Sequence, residues 1–321
     1  MKKIGLFTSG GDAPGMNAAI RAVVRMAVYK ELEVFGIRYG YRGIINGDFI
    51  PLESRSVSNI IQRGGTILRT ARSDEFTTRE GREKAFTNLK KNGIEGLIGI
   101  GGDGTLKGLS VFMDEFPVKV IGVPGTIDND LYGTDYTIGF DTAVNTALST
   151  IDKIRDTAAA HERLFYIEVM GRDAGFIAVD VGIASGAEFI AIPEVETNIE
   201  ELRKMLSNYR KDKSSAIIIV AEGDREGDAF EIAGKVKDAA GYDYRISVIG
   251  HVQRGGSPTA FDRLLASRLG AAAVEKLVNG KSGVMVGQIN GDIAETPLSE
   301  TWEKQKGIKP GLIELARILS L

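Results

Sequence analysis

The order of apolar and polar residues along the chain predicts strands that alternate with amphipathic helices. Short, nearly continuous apolar runs predict strands that are buried on both faces. We expect such strands at 4–7, 33–38, 95–100, 118–123, 164–169, 216–220 and 283–288, and a turn at 39–43. Apolar residues that recur every three to four positions predict helices at 17–30, 78–91, 142–157, 177–184 and 259–277, with a further helix from about 230. This alternation is typical of an α/β fold, in which helices cover both faces of a mostly parallel sheet.

Composition narrows the possible classes of protein. The 321 residues are 43% hydrophobic and 26% charged, with a net charge of -3, which indicates an ordinary globular protein without bulk attraction to nucleic acid. The chain has no cysteine, which excludes disulfides and thiolate chemistry, and its two histidines, His161 and His251, argue against a histidine-rich metal site. No apolar run approaches the ~20 residues of a membrane span. The start, Met1-Lys2-Lys3, leads into a predicted strand without a signal-peptide pattern, so we expect a cytoplasmic protein.

The segment 99–105, Gly-Ile-Gly-Gly-Asp-Gly-Thr, follows a predicted strand and precedes a predicted helix. Ligands of parallel α/β sheets gather at such strand ends, and N–H groups at a helix start favour an anion. Asp103 lies inside this anion site, and a divalent cation between its carboxylate and a phosphate is the simplest way to avoid repulsion. Two alternatives are a tight turn without a ligand and a dinucleotide site, although the acidic residue expected at the next strand end is missing.

Two further loops are candidates for binding the phosphates of a ligand. The segment 8–17, Thr-Ser-Gly-Gly-Asp-Ala-Pro-Gly-Met-Asn, joins the first strand to the first helix. The segment 62–73 contains two glycines and three arginines, whose guanidinium groups match phosphate oxygens.

Arg21 and Arg25 share one face of the first helix without an acidic partner at the same spacing, which indicates either an anion site or a solvated basic face.

The segment 124–130, Pro-Gly-Thr-Ile-Asp-Asn-Asp, places Asp128 and Asp130 at another strand end. Like charges this close raise the pKa of one carboxyl group, which suits a general base that takes a proton from an attacking hydroxyl. A capping or Asx-turn cluster is the alternative. Gly280-Lys281-Ser282 is predicted to be a surface turn, because Glu275 stands where a P-loop requires its first glycine.

The second half of the chain repeats arginines near predicted strand ends. These are Arg163, Arg172, Arg245 and Arg254, accompanied by Glu222 and His251. Guanidinium groups suit a phosphorylated small molecule, and a carboxylate and an imidazole suit its hydroxyl groups. The C-terminal segment contains no chemical motif, and we expect Trp302 to serve packing.

Three segments together are highly specific. The segments 124–130, 170–172 (Met-Gly-Arg) and 250–259 (Gly-His-Val-Gln-Arg-Gly-Gly-Ser-Pro-Thr) resemble those of bacterial ATP-dependent 6-phosphofructokinases, and the resemblance weakens only after about residue 292. It implies two Rossmann-like lobes, each a mostly parallel sheet covered by helices, with the active site in the cleft between them. The ATP-binding lobe would comprise 1–138 and about 256–304, and the fructose 6-phosphate lobe 139–255 and about 305–321.

The resemblance also implies a reaction and a set of roles. ATP would phosphorylate the 1-hydroxyl of fructose 6-phosphate with Mg²⁺, in a homotetramer with shared sites. Asp128 would be the base, Thr126 would place the phosphoryl group, and Gly11, Arg72 and Arg172 would complete the catalytic set. Asp103 would bind Mg²⁺, and ATP would be held by Gly11, Arg72, Ser73, Gly102, Asp103, Gly104 and Thr105.

The resemblance implies two further groups of binding residues. The sugar phosphate would be held by Thr126, Ile127, Asp128, Met170, Gly171, Arg172, Glu222, His251, Val252, Gln253 and Arg254, with Arg163 and Arg245 from a neighbouring subunit. An allosteric site for ADP and phosphoenolpyruvate would comprise Arg21, Ala22, Val23, Val24, Arg25, Arg55, Ser58, Asn59, Arg155, Gly186, Ala187, Glu188, Lys211, Lys213, Ser214 and Ser215.

Individual positions indicate which phosphoryl donor the chain uses and where it departs from the family. Pyrophosphate-using relatives typically carry Asp at the position of Gly104 and Lys at that of Gly125, so both glycines favour ATP. The chain departs from the family at Lys211, where arginine is frequent, at Asn59, where aspartate is common, and at Asp173, where His or Tyr is usual. Lysine keeps the charge of arginine but loses its forked geometry, which affects the expected strength of the effector site.

Three other functions compete with this one. A pyrophosphate-dependent kinase would share the fold, and a non-catalytic sugar-phosphate sensor would keep the fold without the reaction. Retention of Asp103, Thr126 and Asp128 together argues against the sensor. A nicotinamide-dependent oxidoreductase lacks the acidic residue for the ribose.

Overall fold

The computed structural model describes residues 1–161, 163–209, 215–240 and 244–319, without the side chains of His161, 208–209 and 237–240. These residues fall into two compact units. The first unit comprises 1–127, 131–142 and 254–306, and the second comprises 128–130, 143–253 and 307–321. Which substrate each unit binds stays a prediction.

The described residues form strands and helices in alternation. In chain order these are β1 (Lys3–Thr8), α1 (Met16–Tyr29), β2 (Glu33–Ile37), α2 (Gly40–Asn46), β3 (Phe49–Leu52), α3 (Arg79–Lys91), β4 (Gly96–Gly101), α4 (Asp103–Glu115), β5 (Lys119–Pro124), α5 (Phe140–His161), β6 (Leu164–Val169), α6 (Phe176–Ser185), β7 (Phe189–Ala191), α7 (Ile199–Tyr209), β8 (Ala216–Ala221), α8 (Ala229–Ala240), β9 (Tyr244–Val248), α9 (Ala260–Val278), β10 (Val284–Ile289), β11 (Asp292–Pro297), α10 (Glu300–Glu303) and α11 (Pro310–Leu319).

The sheet of the first unit has seven strands among the described residues, in the order β11-β10-β5-β4-β1-β2-β3. The strands from β10 to β2 run parallel, whereas β11 and β3 pair antiparallel at the two edges. Every residue of the central strand β4 is buried, as expected where helices cover both faces. The predicted mostly parallel sheet is therefore confirmed.

The sheet of the second unit has four strands within the part that the structure describes. Their order is β7-β8-β6-β9, and all three pairings are parallel. Tyr166 and Ile218 lie in its core and pack with apolar residues of α7 and α8, such as Leu202 and Ile232. None of the described helices in the chain is both long enough and apolar enough to cross a membrane.

Local sequence signals account for the starts of two helices. The helices α3 and α9 begin after Thr78 and Thr259, whose hydroxyl oxygens accept hydrogen bonds from the N–H groups of Gly81 (3.1 Å) and Asp262 (3.2 Å). A threonine in this position satisfies a donor that the first helical turn leaves unpaired. Both helix starts were predicted within one residue.

The prediction of a turn at 39–43 was wrong, because Gly40–Asn46 is the helix α2. Tyr41, Ile44 and Ile45 are buried, so the helix presents an apolar face, but this face is too short to give a clear period. Gly43 permits tight packing, since a Cβ atom there would lie 1.7 Å from the carbonyl oxygen of Arg38.

The expectation that Trp302 serves packing holds only in part. Its side chain is 36% exposed, and its ring centroid lies 4.6 Å from Nζ of Lys107.

Candidate active site

Three loops of the first unit converge at the carboxyl edge of its sheet. They follow β1, β4 and β5, which are adjacent and parallel. The N–H of Ser9 donates to the carbonyl of Ile100 at 3.1 Å, and the N–H of Gly125 donates to that of Gly101 at 3.0 Å. Backbone hydrogen bonds therefore tie the first residues of all three loops to one another.

The loop after β4 is filled on one side and open on the other. A Cβ atom at Gly101 would lie 2.3 Å from Oγ1 of Thr105 and 2.5 Å from the carbonyl oxygen of Ser9, so no side chain fits there. A Cβ atom at Gly104 would have no other atom within 4 Å. The open space beside Gly104 adjoins the first turn of α4, where N–H groups favour an anion.

Asp103 is the first residue of α4 and is exposed. Mg²⁺ is usually held by one or two protein carboxylates together with phosphate oxygens and water. In the described part of the chain, no three or more His, Cys, Asp or Glu residues cluster in a way that could hold a metal ion. The donor set therefore fits a magnesium ion that arrives with a polyphosphate and gains one carboxylate from the protein.

The segment 62–73 is held against the end of β1. Asn17 is 1% exposed, its Nδ2 donates to the carbonyls of Arg63 (3.0 Å) and Gly64 (3.1 Å), and its Oδ1 accepts from the N–H of Ile67 at 2.8 Å. The hydroxyl oxygens of Thr8 and Thr66 are 2.9 Å apart. This places the segment that carries Arg72 and Ser73 beside the loop after β1.

Tyr41 is a site residue that sequence reasoning missed. Its hydroxyl group donates to the carbonyl of Thr105, and its ring stacks on Phe76 with centroids 4.0 Å apart. Burial raises the pKa of Tyr41 well above its ordinary value, so the hydroxyl stays a donor. The sequence feature that comes closest to indicating this contact is Gly108, because a Cβ atom there would lie 2.6 Å from Oη of Tyr41.

Arg254 was predicted to hold the sugar phosphate, and its guanidinium group lies on the loop that carries Gly11. Its Nη1 donates to the carbonyl of Asp12 at 3.3 Å. The same atom is 2.6 Å from the position of a Cβ atom at Gly11. A glycine at this position leaves the room that the guanidinium group takes up.

The loop after β5 leads from one unit to the other. Thr126 is 7% exposed, and its carbonyl accepts from Oγ1 of Thr137 at 2.6 Å. Ile127 is fully buried, so its predicted contact with substrate is restricted to its backbone. Asp128, the first residue assigned to the second unit, is 6% exposed. A carboxyl group with so little contact with water suits the role of a base better than that of a solvated surface group.

In the second unit, Glu222 brings several predicted substrate residues together. It follows β8, and its Oε1 accepts from the N–H groups of Arg172 (2.8 Å) and Gly171 (3.3 Å), which follow the adjacent strand β6. Arg172 has a left-handed backbone with φ 59°, which is uncommon for a residue other than glycine. Met170 is buried, whereas the side chain of Arg172 is exposed. The loop at 170–172 and Glu222 thus form one local structure.

Arg163 and Arg245 do not belong to this carboxyl edge. Arg163 precedes β6, and Arg245 is the second residue of β9, where Leu164 pairs with Tyr244. The length of β6 separates Leu164 from Met170 by roughly 20 Å at the usual strand rise. Arg163 and Arg245 therefore lie at the opposite end of this sheet from Arg172, and their expected role in the site of a neighbouring subunit stays a prediction.

The remaining substrate residues follow β9. They occupy a single turn of 3₁₀ helix, Gly250–Arg254. His251 and Val252 are exposed, whereas Gln253 is fully buried. His251, Val252 and, in part, the half-buried Arg254 therefore present side chains that a ligand in solution can reach directly.

The predicted effector residues of the first unit differ in exposure. On α1, the side chains of Val23 and Val24 are fully buried, Arg21 and Ala22 are half-buried and Arg25 is exposed. Arg55, Ser58 and Asn59 are exposed, and Asn59 has a left-handed backbone with φ 56°. The two arginines of α1 remain available to an anion, while the two valines belong to the core.

The predicted effector residues of the second unit lie close together. Nη2 of Arg155 donates to the carbonyls of Ser185 (2.7 Å) and Gly186 (3.0 Å), and its Nη1 is 3.9 Å from Oε1 of Glu188. Oε2 of the buried Glu188 accepts from the N–H of Ile217 at 2.7 Å. Ala187, which stands between Gly186 and Glu188 in the sequence, is buried. Ser215 directly precedes β8. Lys211, Lys213 and Ser214 lie outside the described residues.

Comparison with known proteins agrees with this geometry. The phosphofructokinase family model matches residues 3–277. The ATP-dependent 6-phosphofructokinase 1 of Thermus thermophilus is 60% identical over 322 residues, and the ATP-dependent 6-phosphofructokinase 2 of Bacteroides thetaiotaomicron is 54% identical over 323 residues; both alignments cover all of this chain and at least 99% of the relative.

Solved structures extend the likeness. The Saccharomyces cerevisiae phosphofructokinase superposes with a TM-score of 0.91 at 35% identity, covering 100% of this chain and 48% of that chain, so this chain spans about half of the yeast chain. The pyrophosphate-dependent phosphofructokinase of Marinobacter aquaeolei superposes with a TM-score of 0.86 at 26% identity, covering 99% and 91%. The extent of these matches and the loops described above establish that the chain belongs to the phosphofructokinase family.

Proposed function

We propose that the chain is an ATP-dependent 6-phosphofructokinase. It transfers the γ-phosphoryl group of ATP to the 1-hydroxyl of fructose 6-phosphate and yields fructose 1,6-bisphosphate and ADP. The observation that carries the proposal is the convergence of the loops after β1, β4 and β5 around the open space beside Gly104. The names of the full-length relatives, which are ATP-dependent, support the choice of donor.

On the donor side, the backbone of residues 102–105 and the start of α4 bind the phosphate groups. Asp103 would hold Mg²⁺, which when bound neutralises charge on the phosphate oxygens. Gly11 contributes its backbone, since the guanidinium group of Arg254 takes up the space beside it. Ser73 lies beside the nucleotide, and Arg72 stabilises the charge that develops on the transferred group. The absence of a side chain at Gly104 keeps this approach free for a nucleotide.

On the acceptor side, Asp128 takes the proton from the attacking hydroxyl, and Thr126 helps to place the phosphoryl group. Met170, Arg172, Glu222, His251 and Arg254 hold the sugar phosphate. Oε1 of Glu222 is engaged with two backbone N–H groups, which leaves Oε2 for a sugar hydroxyl. Guanidinium groups pair with the phosphate.

Shared sites between subunits are also part of the proposal. Arg163 and Arg245 lie at the amino end of their sheet, away from Met170 and Glu222. Residues so placed can serve a sugar-phosphate site only when a second copy of the chain presents them. This supports a homotetramer, for which gel filtration with light scattering is the direct measurement.

The proposed regulation is activation by ADP and inhibition by phosphoenolpyruvate. The ordered contact of Arg155 with the carbonyls of Ser185 and Gly186 and with Glu188 supports a built effector site. Replacing Arg21 and Arg25 together with alanine would abolish the response of the rate to both effectors. An unchanged response would contradict this assignment.

A coupled assay with fructose 6-phosphate, comparing ATP with pyrophosphate, tests the reaction. Asp128→Ala is expected to lower kcat by about 10² to 10⁴-fold with little change in nucleotide affinity, as for loss of a general base. Asp152→Asn, an exposed carboxylate on α5, serves as the control and should leave kcat unchanged. Turnover with pyrophosphate alone would replace the proposed donor, and tight binding of both ligands without product would indicate a sensor.

A further inference from the structure

Asp262 is a fully buried carboxylate that no step of the proposed reaction uses. It lies in the first turn of α9, and its N–H donates to Oγ1 of Thr259, which begins that helix. Burying a charge is costly unless hydrogen bonds compensate for the lost water. The position of this carboxylate therefore requires an explanation from its surroundings.

The carboxylate accepts three hydrogen bonds from the start of α5. Oδ1 accepts from the N–H of Gly139 at 2.8 Å, while Oδ2 accepts from both the N–H (2.8 Å) and the hydroxyl of Thr142. Oγ1 of Thr142 in turn accepts from the N–H of Thr259 at 3.0 Å. The first turns of α5 and α9 are thus joined through a single side chain, within the first unit.

The residue before a third helix lies close to Asp262. A Cβ atom at Gly15, which precedes α1, would lie 3.6 Å from Cβ and from the backbone carbonyl oxygen of Asp262. The carboxylate itself joins the starts of α5 and α9 and is their common anchor.

This anchor adjoins the loop after β1. Gly139, which donates to Asp262, would bring a Cβ atom within 2.6 Å of Cβ of Ala13 and 3.2 Å of Cδ of Pro14. Ala13 lies two residues after Gly11. Any movement of Gly139 would therefore be transmitted through van der Waals contact to the loop that carries Gly11.

We propose that Asp262 is a positioning residue for nucleotide binding, which holds the loop carrying Gly11 by fixing Gly139 and the start of α5. The proposal rests on the assignment of this loop to ATP in the proposed function. It predicts a selective change in nucleotide affinity, because Gly139, which Asp262 holds, lies against Ala13 and Pro14 of the loop after β1.

Burial raises the pKa of Asp262 to about 6, which makes the anchor sensitive to pH. Asp141 of α5 is the charged group that raises it further, and the segment 13–15 contributes no titratable side chain. Arg263, the next residue of α9, donates to the carbonyl of Pro258 at 2.8 Å. A protonated carboxyl group can accept fewer bonds from its three donors, so acid should loosen the anchor.

The experiment compares Asp262→Asn with the wild-type enzyme by steady-state kinetics and by calorimetric titration with ATP. KM for ATP and the calorimetric Kd should rise about ten-fold or more, the size expected for loss of one hydrogen bond to a charged group. KM for fructose 6-phosphate should change less than about two-fold, because the lost hydrogen bond supports the loop assigned to ATP. As the pH falls below about 6, KM for ATP of the wild-type enzyme should approach that of the variant, which itself should change little.

Two further variants keep the test decisive if Asp262→Asn folds poorly. Thr142→Val removes one donor to the carboxylate, whereas Thr142→Ser retains it, so KM for ATP should rise in the first variant and recover in the second. Thr301→Val is the control for a general loss of stability, since Thr301 is buried in the same unit and its hydroxyl donates within its own turn to Leu298 at 2.7 Å. It should leave both KM values unchanged.

The outcomes separate this inference from the proposed function. Unchanged ATP affinity in Asp262→Asn and Thr142→Val would overturn the inference and leave the kinase assignment intact. Equal increases in KM for both substrates would also overturn it, because they would indicate a general structural role. Failure of the wild-type protein to bind ATP would instead contradict the proposed function.

Discussion

The loops at the carboxyl edges of the two sheets are held by different means. In the first unit, the loop after β4 is shaped by Gly101 and by backbone hydrogen bonds to the neighbouring loops. In the second unit, the loop at 170–172 is held by a side chain, because Glu222 accepts from two of its N–H groups. The shape of the loop after β4 therefore depends little on side chains, whereas that of the loop at 170–172 depends on the carboxylate of Glu222.

This difference indicates which substitutions each loop tolerates. A loop formed from closely packed backbone is sensitive to the addition of atoms, since the neighbouring backbone cannot move aside cheaply. A loop held by a carboxylate is sensitive to the removal of that carboxylate, which leaves the N–H groups of the loop without their acceptor. Three measurements test this contrast and a fourth concerns the buried carboxylate of Asp262; they follow from the largest expected effect to the smallest.

Gly101→Ala should have the largest effect. Its Cβ atom would lie 2.5 Å from the carbonyl oxygen of Ser9, so one of the two loops must move. Displacement of the phosphate-binding backbone should lower kcat/KM for ATP by about 10²–10³-fold. The control is Gly104→Ala, whose Cβ atom meets no other atom within 4 Å and should leave the thermal unfolding midpoint unchanged. Equal losses of stability in the two variants would contradict the contrast.

The buried carboxylate of Asp262, at the start of α9, should appear in the pH dependence of stability. The pKa of Asp262 is raised from 3.8 to about 6 in the folded chain, so between these values the folded state binds more protons than the unfolded state. The stabilising contribution of the protonated group is therefore present below pH 4 and is lost as the pH rises through about 6. The loss amounts to about 3 kcal/mol for a shift of this size.

Comparison with a variant isolates this effect from that of other carboxyl groups. Glu95, Glu115 and Glu295 have lowered pKa values, which give the opposite slope. Urea unfolding of the wild-type chain and of Asp262→Asn between pH 4 and pH 7 should therefore show that the wild-type chain loses stability relative to the variant. A difference that is constant over this range would show that the folded environment leaves the acidity of Asp262 unchanged.

Glu222→Ala should have an intermediate effect that is confined to the acceptor substrate. It leaves the N–H groups of Gly171 and Arg172 without their acceptor, at a cost of about 1.5–3 kcal/mol for hydrogen bonds to a charged group. KM for fructose 6-phosphate should rise about 10 to 100-fold while KM for ATP stays within about two-fold. Glu222→Gln retains one acceptor oxygen and should recover part of the affinity. An equal rise in both KM values would contradict separate support of the two loops.

Sequence reasoning succeeded where the physical cause is local. Buried apolar runs gave β4 and β6, and the helical period of apolar residues gave α3 and α9, whose starts Thr78 and Thr259 cap. The glycine loops after β1, β4 and β5 were also visible, because their strand–loop–helix context is read within about ten residues.

It failed where the cause is distant in the chain. Asp262 meets Gly139 across 123 positions, Tyr41 meets Thr105 across 64, and Asn17 meets Ile67 across 50. No local period or cap marks such pairs.

Tyr41→Phe should have the smallest effect, and it measures how far a side chain contributes to the first loop. The substitution keeps the stacking on Phe76 but removes the donor to the carbonyl of Thr105. A buried carbonyl that loses its donor costs about 1 kcal/mol in the free energy of unfolding, which urea denaturation can resolve. Tyr29→Phe, at a position that is 78% exposed, is the matched control and should change nothing. If Tyr41→Phe lowered the free energy of unfolding as much as Gly101→Ala does, the loop after β4 would, like the loop at 170–172, be held chiefly by a side chain.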